Sequence, residues 1–489
     1  MNEDLTHSDL SFLEELSKYT FDSKMLFCQT YASRIMSVSQ VDPKLIIKYN
    51  ITPWEIEALA AFSVIYDDPD ATEILNDEVF ANMITMLRNY WHPKLSIAEQ
   101  NDTYADVFMM VSTLQQFPTQ GVFLQKLFRY DYFFSFKNEK LDMPSEFLKL
   151  FNVDYRSYEL FAFIIYVACS LEGQNRAGKE NSQIALRKAF SISQVQKNLS
   201  IDKEEYKKLL DSQYKGRETD YYYGLKIQYL YPIINCDTCC YMPSPYLVVN
   251  AVTESMLNRL THSNDKLRRK FGKEVIENYL YLIYKELPMV TWISREFQYK
   301  KGKNSFLTPD VIAAESDNVV FFDTKALTPN LKMRQFNKEE IEKETLTYAT
   351  NIVQLYQRIS DYLQGLFSLN SIYEQSHIYG VVVVLEDAAI ARHTVYEKAF
   401  ELLSQKGLED TPEIRDYIHS HIKVTPLRQI EETVLIGHSY LECLLNQVDQ
   451  PDMWNNYTFF ISTNEIACIP AYSKYCEEIK RDAGKLLSQ

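Results

Sequence analysis

The segment from Thr308 to Lys325 carries the densest chemistry in the chain. It reads Thr308-Pro309-Asp310, four apolar residues, Glu315-Ser316-Asp317-Asn318, four more apolar residues, then Asp323-Thr324-Lys325. Ser316-Asp317-Asn318 is turn chemistry between two β-prone runs. A hairpin closing on Ser316 and Asp317 sets Asp310 directly across from Asp323, with Cβ atoms about 5 Å apart. Lys325, two residues further, projects from the same face. Like charges facing each other destabilise a sheet, and a divalent cation or a lysine between them relieves the cost. Two carboxylates at this separation suit Mg²⁺. Such a metal acidifies a bound water and stabilises charge on phosphorus. A neighbouring lysine can orient the attacking hydroxide. These are the parts needed for phosphodiester hydrolysis.

Pro309-Asp310 followed by Asp323-Thr324-Lys325 resembles the PD-(D/E)XK, or restriction-endonuclease-like, nuclease superfamily. The resemblance covers about residues 258–390. It implies an α/β core with a mixed sheet flanked by helices, the PD and (D/E)XK strands being adjacent. Members often carry a glutamate on the helix before the core, and Gly272-Lys273-Glu274-Val275-Ile276-Glu277-Asn278-Tyr279-Leu280 looks like that helix. Glu277 matches better than Glu274, having an apolar residue just before it and an aromatic two after. The resemblance implies Asp310 and Asp323 as ligands of Mg²⁺ (or Mn²⁺), Glu277 and the Thr324 carbonyl as assisting ligands, and Lys325 as the catalytic lysine. Some members add Gln and Tyr as QxxxY on the next helix. Here that helix offers Gln354 and Arg358 instead, four residues apart and read mainly as solvent-facing.

The elements that must position these groups are legible around them. A helix is expected over 266–287, strands over 290–299, 306–314, 319–325 and 379–385, and a long helix over 337–364. Helix, three strands, helix, strand describes an α/β layer with a crossover. Beyond it, helices are expected over 395–404 and 430–446 and short strands over 421–425 and 457–462. Residues 257–303 hold eleven Lys or Arg against five acids, a local balance of +6 in a chain of net charge −15. Arg268, Arg269, Lys270 and Lys273 are the expected phosphate-binding residues of that stretch.

The global balance of 51 Lys plus Arg against 66 Asp plus Glu excludes a uniformly basic nucleic-acid coat, while a local patch survives it. Only 12 glycines argue against a glycine-rich nucleotide fold. The chain opens on polar and acidic residues without a secretory pattern, and its longest apolar run, 160–171, is too short to span a bilayer. A cytoplasmic protein with no membrane partner is expected. Residues 1–220 read as helices, with a helix start at Thr52-Pro53-Trp54-Glu55 and another at Asp202.

Three regions follow: a helical recognition or regulatory domain over 1–255, the nuclease core over 256–390, and a C-terminal α/β extension packing on the core over 391–489. Arg88 and His92 share a helix face, and a helix-end role outweighs a catalytic one. Cys236 and Cys239 have the spacing of half a zinc site, and a metal-free reading is preferred. The expected activity is a metal-dependent nuclease acting on DNA, with bacterial defence against phage or other foreign DNA as the analogous setting. The alternatives are a catalytically inactive nucleic-acid-binding or scaffold protein of the same fold and an RNase using the same core. The pattern leaves open the oligomeric state and any protein activator.

Overall fold

The computed structural model describes residues 7–38, 40–90, 122–176, 179–214, 227–236, 239–261, 264–329, 338–386, 388, 390, 392–445 and 468–488. The chain is a mixed helix-and-sheet protein. Its N-terminal half is mainly helical, with one small sheet of β1 (Ser200–Asp202), β2 (Ile233–Asn235) and β3 (Cys240–Tyr241). The central sheet follows. Its strands are β4 (Val290–Arg295), β7 (Val311–Glu315), β8 (Asn318–Lys325), β9 (Ile378–Val384) and β10 (Ile422–Pro426), in the spatial order β10-β9-β8-β7-β4. The β4, β7 and β8 strands are antiparallel neighbours, and β8, β9 and β10 run parallel. A separate ribbon pairs β5 (Gln298–Lys301) with β6 (Asn304–Leu307).

The β7–β8 hairpin has the register expected from its turn. Val311 lies across from Phe322 and Glu315 from Asn318, with Ser316 and Asp317 between the strands. Ser316 takes the left-handed φ of +52° that so short a loop requires. The expected strands at 290–299 and 306–314 are each broken in two. Glu296 donates its N–H to the Asp310 carbonyl, and Thr308 donates its own to the Phe297 carbonyl. Pro309 is left as an extra residue. Proline cannot donate to a ladder, so it sits at this bulge and turns the chain between ribbon and sheet.

Alternation of the pleat divides the buried side chains between two cores. Val311, Ala313, Val320, Phe322, Val381 and Val383 face the helix Glu277–Lys285 and the N-terminal helices. Ile312, Ala314, Val319, Phe321, Val382 and Val384 face the helices Lys338–Leu363 and Arg392–Gln405. Both faces are covered, which explains why these strands read as nearly continuous apolar runs. The helix expected over 266–287 runs through Asp265–Phe271 and Glu277–Lys285, joined by a wider π-type turn over Gly272–Ile276. Gly272 lies where an added Cβ would come within 3.2 Å of Ala326 Cβ, so its lack of a side chain lets this helix approach the end of β8.

The apolar run 160–171 lies in the buried helix Tyr155–Gly173. Gly173 meets the helix Phe21–Arg34 so closely that an added Cβ would collide with the Ser33 carbonyl. Among the described residues no helix is long and apolar enough to cross a membrane. The expected helix 430–446 is divided into Leu427–Val434 and Tyr440–Leu445, and the expected strand 457–462 lies outside the described residues. The last helix, Pro470–Ser488, packs on the helices Phe123–Ser135 and Tyr155–Gly173 of the N-terminal half. No break in packing marks residue 255, because one apolar core runs from Phe12 through Tyr279 to the sheet and on to Ile479.

A buried polar junction ties the three regions together. Arg129 donates to both carboxylate oxygens of Glu431, at 2.9 and 2.6 Å, and the Tyr279 hydroxyl donates to the same group at 2.7 Å. Burial pushes the Glu431 pKa up, and Arg129 opposes that shift. Arg129→Met leaves Glu431 buried without its cation, and should lower stability by about 3–5 kcal/mol in denaturant melts. Arg129→Met/Glu431→Met should recover much of that loss. A single substitution as mild as an exposed one would show that the junction carries little of the fold.

Candidate active site at the end of the β7–β8 hairpin

Asp310 sits one residue before β7, immediately after the Pro309 bulge. Continuing the hairpin register places it across from Asp323. Its carboxylate is turned onto the next residue of β8. Asp310 Oδ2 accepts hydrogen bonds from the Thr324 N–H at 2.6 Å and from the Thr324 hydroxyl at 2.9 Å. A strand residue turns its N–H and C=O to the same edge. The Thr324 carbonyl therefore also faces the Asp310 side. Lys325 stands beside Asp323, with Nζ 2.7 Å from Oδ2, and both side chains are less than one third exposed.

Glu277 completes the group from the other direction, at the first turn of the helix Glu277–Lys285. The π-type turn before it separates Glu277, which the resemblance favours, from Glu274. Glu274 turns to the N-terminal half, where Lys140 Nζ lies 2.8 Å and Asn138 Nδ2 2.9 Å from its carboxylate. Burial raises the Glu274 pKa, but those two partners outweigh it and the net shift is downward. Glu277 instead faces Asp310. Burial first, then the charges of Asp310 and Glu296, push its pKa up to about 9. Asp310 behaves similarly, raised to about 7 by burial and by Asp323. Burial lowers the Lys325 pKa, yet Asp323 and Asp310 outweigh it and hold the ammonium above its ordinary value.

Two further charged groups belong to this cluster. Lys273 Nζ lies 2.8 Å from Glu296 Oε1. That bond raises the Lys273 pKa, with smaller contributions from Glu277 and Asp310. In the sequence Glu296 is one acid of a basic stretch, and no motif marks it. The pairing of β4 with β7, which the sequence does not show, carries residue 296 to Asp310.

The expected basic patch is divided by the fold. Arg268 donates to the Ala326 carbonyl at 3.3 Å and to Thr328 Oγ1 at 2.7 Å, bracing the loop after β8. Lys270 reaches the Lys140 carbonyl at 3.2 Å. Lys273 belongs to the acidic cluster, and Arg269 is exposed. Gln354 is exposed, whereas Arg358 donates to the Tyr299 hydroxyl at 3.1 Å on the β5–β6 ribbon. Arg88 binds both carboxylate oxygens of Glu55 and the Asn50 carbonyl, joining two helix ends, while His92 lies outside the described residues. Cys236 and Cys239 flank the β2–β3 turn, where the Cys236 N–H donates to the Cys239 carbonyl at 2.8 Å.

Among the described residues no three His, Cys, Asp or Glu side chains stand at distances that would already hold a metal ion. The arrangement is held by other bonds, Asp310 to Thr324 and Asp323 to Lys325. Three carboxylates and a backbone carbonyl nevertheless form a hard-oxygen donor set, the chemistry that Mg²⁺ and Mn²⁺ prefer. No family model, curated protein or solved structure matches the chain.

The raised Glu277 pKa has a measurable consequence. Between its ordinary value of 4.5 and about 9 the folded chain keeps a proton that the unfolded chain has lost. Stability of the metal-free protein therefore falls as pH rises through that window. Asp310, Glu296, Lys273 and Lys325 are the charged groups that set this window. Glu277→Gln, which cannot ionise, should melt close to wild type near pH 5 and several degrees higher near pH 8.5. Parallel melting curves across that range would mean that Glu277 ionises as an ordinary glutamate.

Proposed function

We propose that this chain is a metal-dependent nuclease that hydrolyses phosphodiester bonds of DNA, built on a restriction-endonuclease-like core. The observation carrying the reading is the convergence of Asp310, Asp323, Lys325 and Glu277, from two strands and a helix, at one end of the mixed sheet. The order of elements supports it as well. A helix, the three antiparallel strands β4, β7 and β8, the helix Lys338–Leu363 and the parallel strand β9 follow one another as the resemblance implies.

Asp310, Asp323 and Glu277, with the Thr324 carbonyl, would hold Mg²⁺ or Mn²⁺, which supplies an acidified water and neutralises charge at the scissile phosphate. The remaining chemistry belongs to side chains of this protein. Lys325 presents its ammonium at the carboxylate cluster, where it can orient the attacking water and face the phosphate. Its strong upward pull from Asp323 and Asp310 keeps it charged at neutral pH. Lys273 balances Glu296 at the flank of the site. The helical N-terminal half fits a recognition or regulatory role, consistent with a nuclease used against foreign DNA.

The Lys325–Asp323 ion pair also favours a second reading, an inactive nucleic-acid-binding protein whose site is balanced by lysine alone. Metal binding and cleavage separate the two. Purified chain should cut DNA with Mg²⁺ or Mn²⁺ and stop with EDTA. Lys325→Ala should lower the rate by about 10²–10³-fold or more, yet melt near wild type when Mg²⁺ is present. Asp323→Ala should lose metal binding in calorimetry as well as cleavage. A Lys325→Ala protein that melts early but cuts at the wild-type rate would leave the lysine a structural charge balancer.

A further inference from the structure

We infer that the β5–β6 ribbon is a groove-reading element for duplex DNA, an inference that rests on the nuclease reading of the adjacent site. The ribbon springs from the site itself. Glu296 and Asp310 are bonded to each other at its base, and Phe297 and Thr308 form the next rung through two bonds. Its sequence, Gln298 to Leu307, holds Lys300, Lys301 and Lys303 and no acid, in a chain of net charge −15. The ribbon's three lysines therefore stand on the segment that leads directly into Asp310.

The ribbon is anchored on one face and open on the other. Tyr299 is buried, stacks on Phe306 and packs on Phe367, and its hydroxyl donates to Asp361. Lys301 Nζ lies 2.7 Å from the same carboxylate. The opposite face presents Gln298, Lys300, Ser305 and Leu307, all exposed, and the tip presents Lys303 beside Gly302. Gly302 has a φ of +62°, which the tight reversal demands. Among the described residues Lys300 and Lys303 have no carboxylate partner, unlike Lys273 and Lys301. A rigid base with two unpartnered cations at its open end is suited to receive an anion.

Dimensions select the kind of nucleic acid. Four residues per strand extend roughly 13 Å beyond the bulge. The major groove of B-form DNA is about 12 Å wide and about 8.5 Å deep, and admits a two-stranded ribbon. The major groove of A-form RNA is too narrow for one. Gln298, Ser305 and Lys300 can donate to base edges, while Lys300 and Lys303 can also reach phosphates.

The test uses the full chain and the double variant Lys300→Gln/Lys303→Gln. Binding to a short duplex DNA, the matching single strand and a duplex RNA is read by fluorescence anisotropy over a range of salt, with Ca²⁺ and with EDTA. Neutralising two phosphate contacts should reduce the salt slope by about 1.8 and weaken duplex DNA binding by about tenfold to a hundredfold near 0.1 M salt. Melting should be unchanged, since both side chains are exposed. Wild-type affinity and slope in the variant would overturn the inference, as would an equal loss on single strands and duplex RNA, or a wild type that binds no duplex DNA under either condition. Ribbon-dependent duplex binding without any cleavage in Mg²⁺ or Mn²⁺ would uphold the ribbon and sink the nuclease reading. Metal-dependent cleavage with unchanged binding in the variant would do the reverse.

Discussion

The register of the β7–β8 hairpin governs everything built on the central sheet. Val311 opposite Phe322 and Glu315 opposite Asn318 fix which side chains face each core. A slip of one residue would exchange the two faces, because strand side chains alternate with a period of two. Phe322, which packs on Tyr284 at 4.7 Å between ring centres, would then leave its core. The same slip would take Asp323 away from Asp310. Folding energy and site assembly thus depend on one pairing, and the short turn at Ser316-Asp317 holds it.

The site is a place where folding works against ionisation. Burial and mutual repulsion hold protons on Asp310 and Glu277 above the usual carboxylate range. Lys325 and the Thr324 donors reduce the repulsion without removing it. Such shifts follow from gathering several carboxylates where water is largely excluded. The cluster is stable here because the surrounding strands are packed on both faces. The cost of a few unfavourable charges is small beside two apolar cores.

The N-terminal half is more than a neighbour of this sheet. Its core continues into the face that carries Phe322, and its Arg129 reaches Glu431, which also holds Tyr279. Tyr279 lies two residues from Glu277 on the same helix. Glu274, on the preceding turn, is held by Lys140 and Asn138. The helix that presents Glu277 is therefore gripped on both sides of that residue, by Lys140 and Asn138 before it and by the Arg129–Glu431 pair after it.

Much of this was legible along the chain. Apolar periodicity gave the strand 318–325, the crossover helix and β9 to within a residue or two, because patterning of this strength reflects which face is buried. The hairpin register followed from turn chemistry, since a two-residue loop leaves one way to pair. The separation of Glu277 from Glu274 could only be ranked, because three residues on a helix point to similar directions until a π-type turn rotates them apart. Tertiary structure alone decided the rest. It broke 290–299 and 306–314 at the Pro309 bulge, brought Glu296 and Lys273 to Asp310, and used Arg268 and Lys270 as internal braces. It also packed Pro470–Ser488 on the distant N-terminal helices. Sequence shows the local pattern that each segment must satisfy, whereas the partner of a charge or of an apolar stripe is fixed only when segments far apart in the chain are brought together.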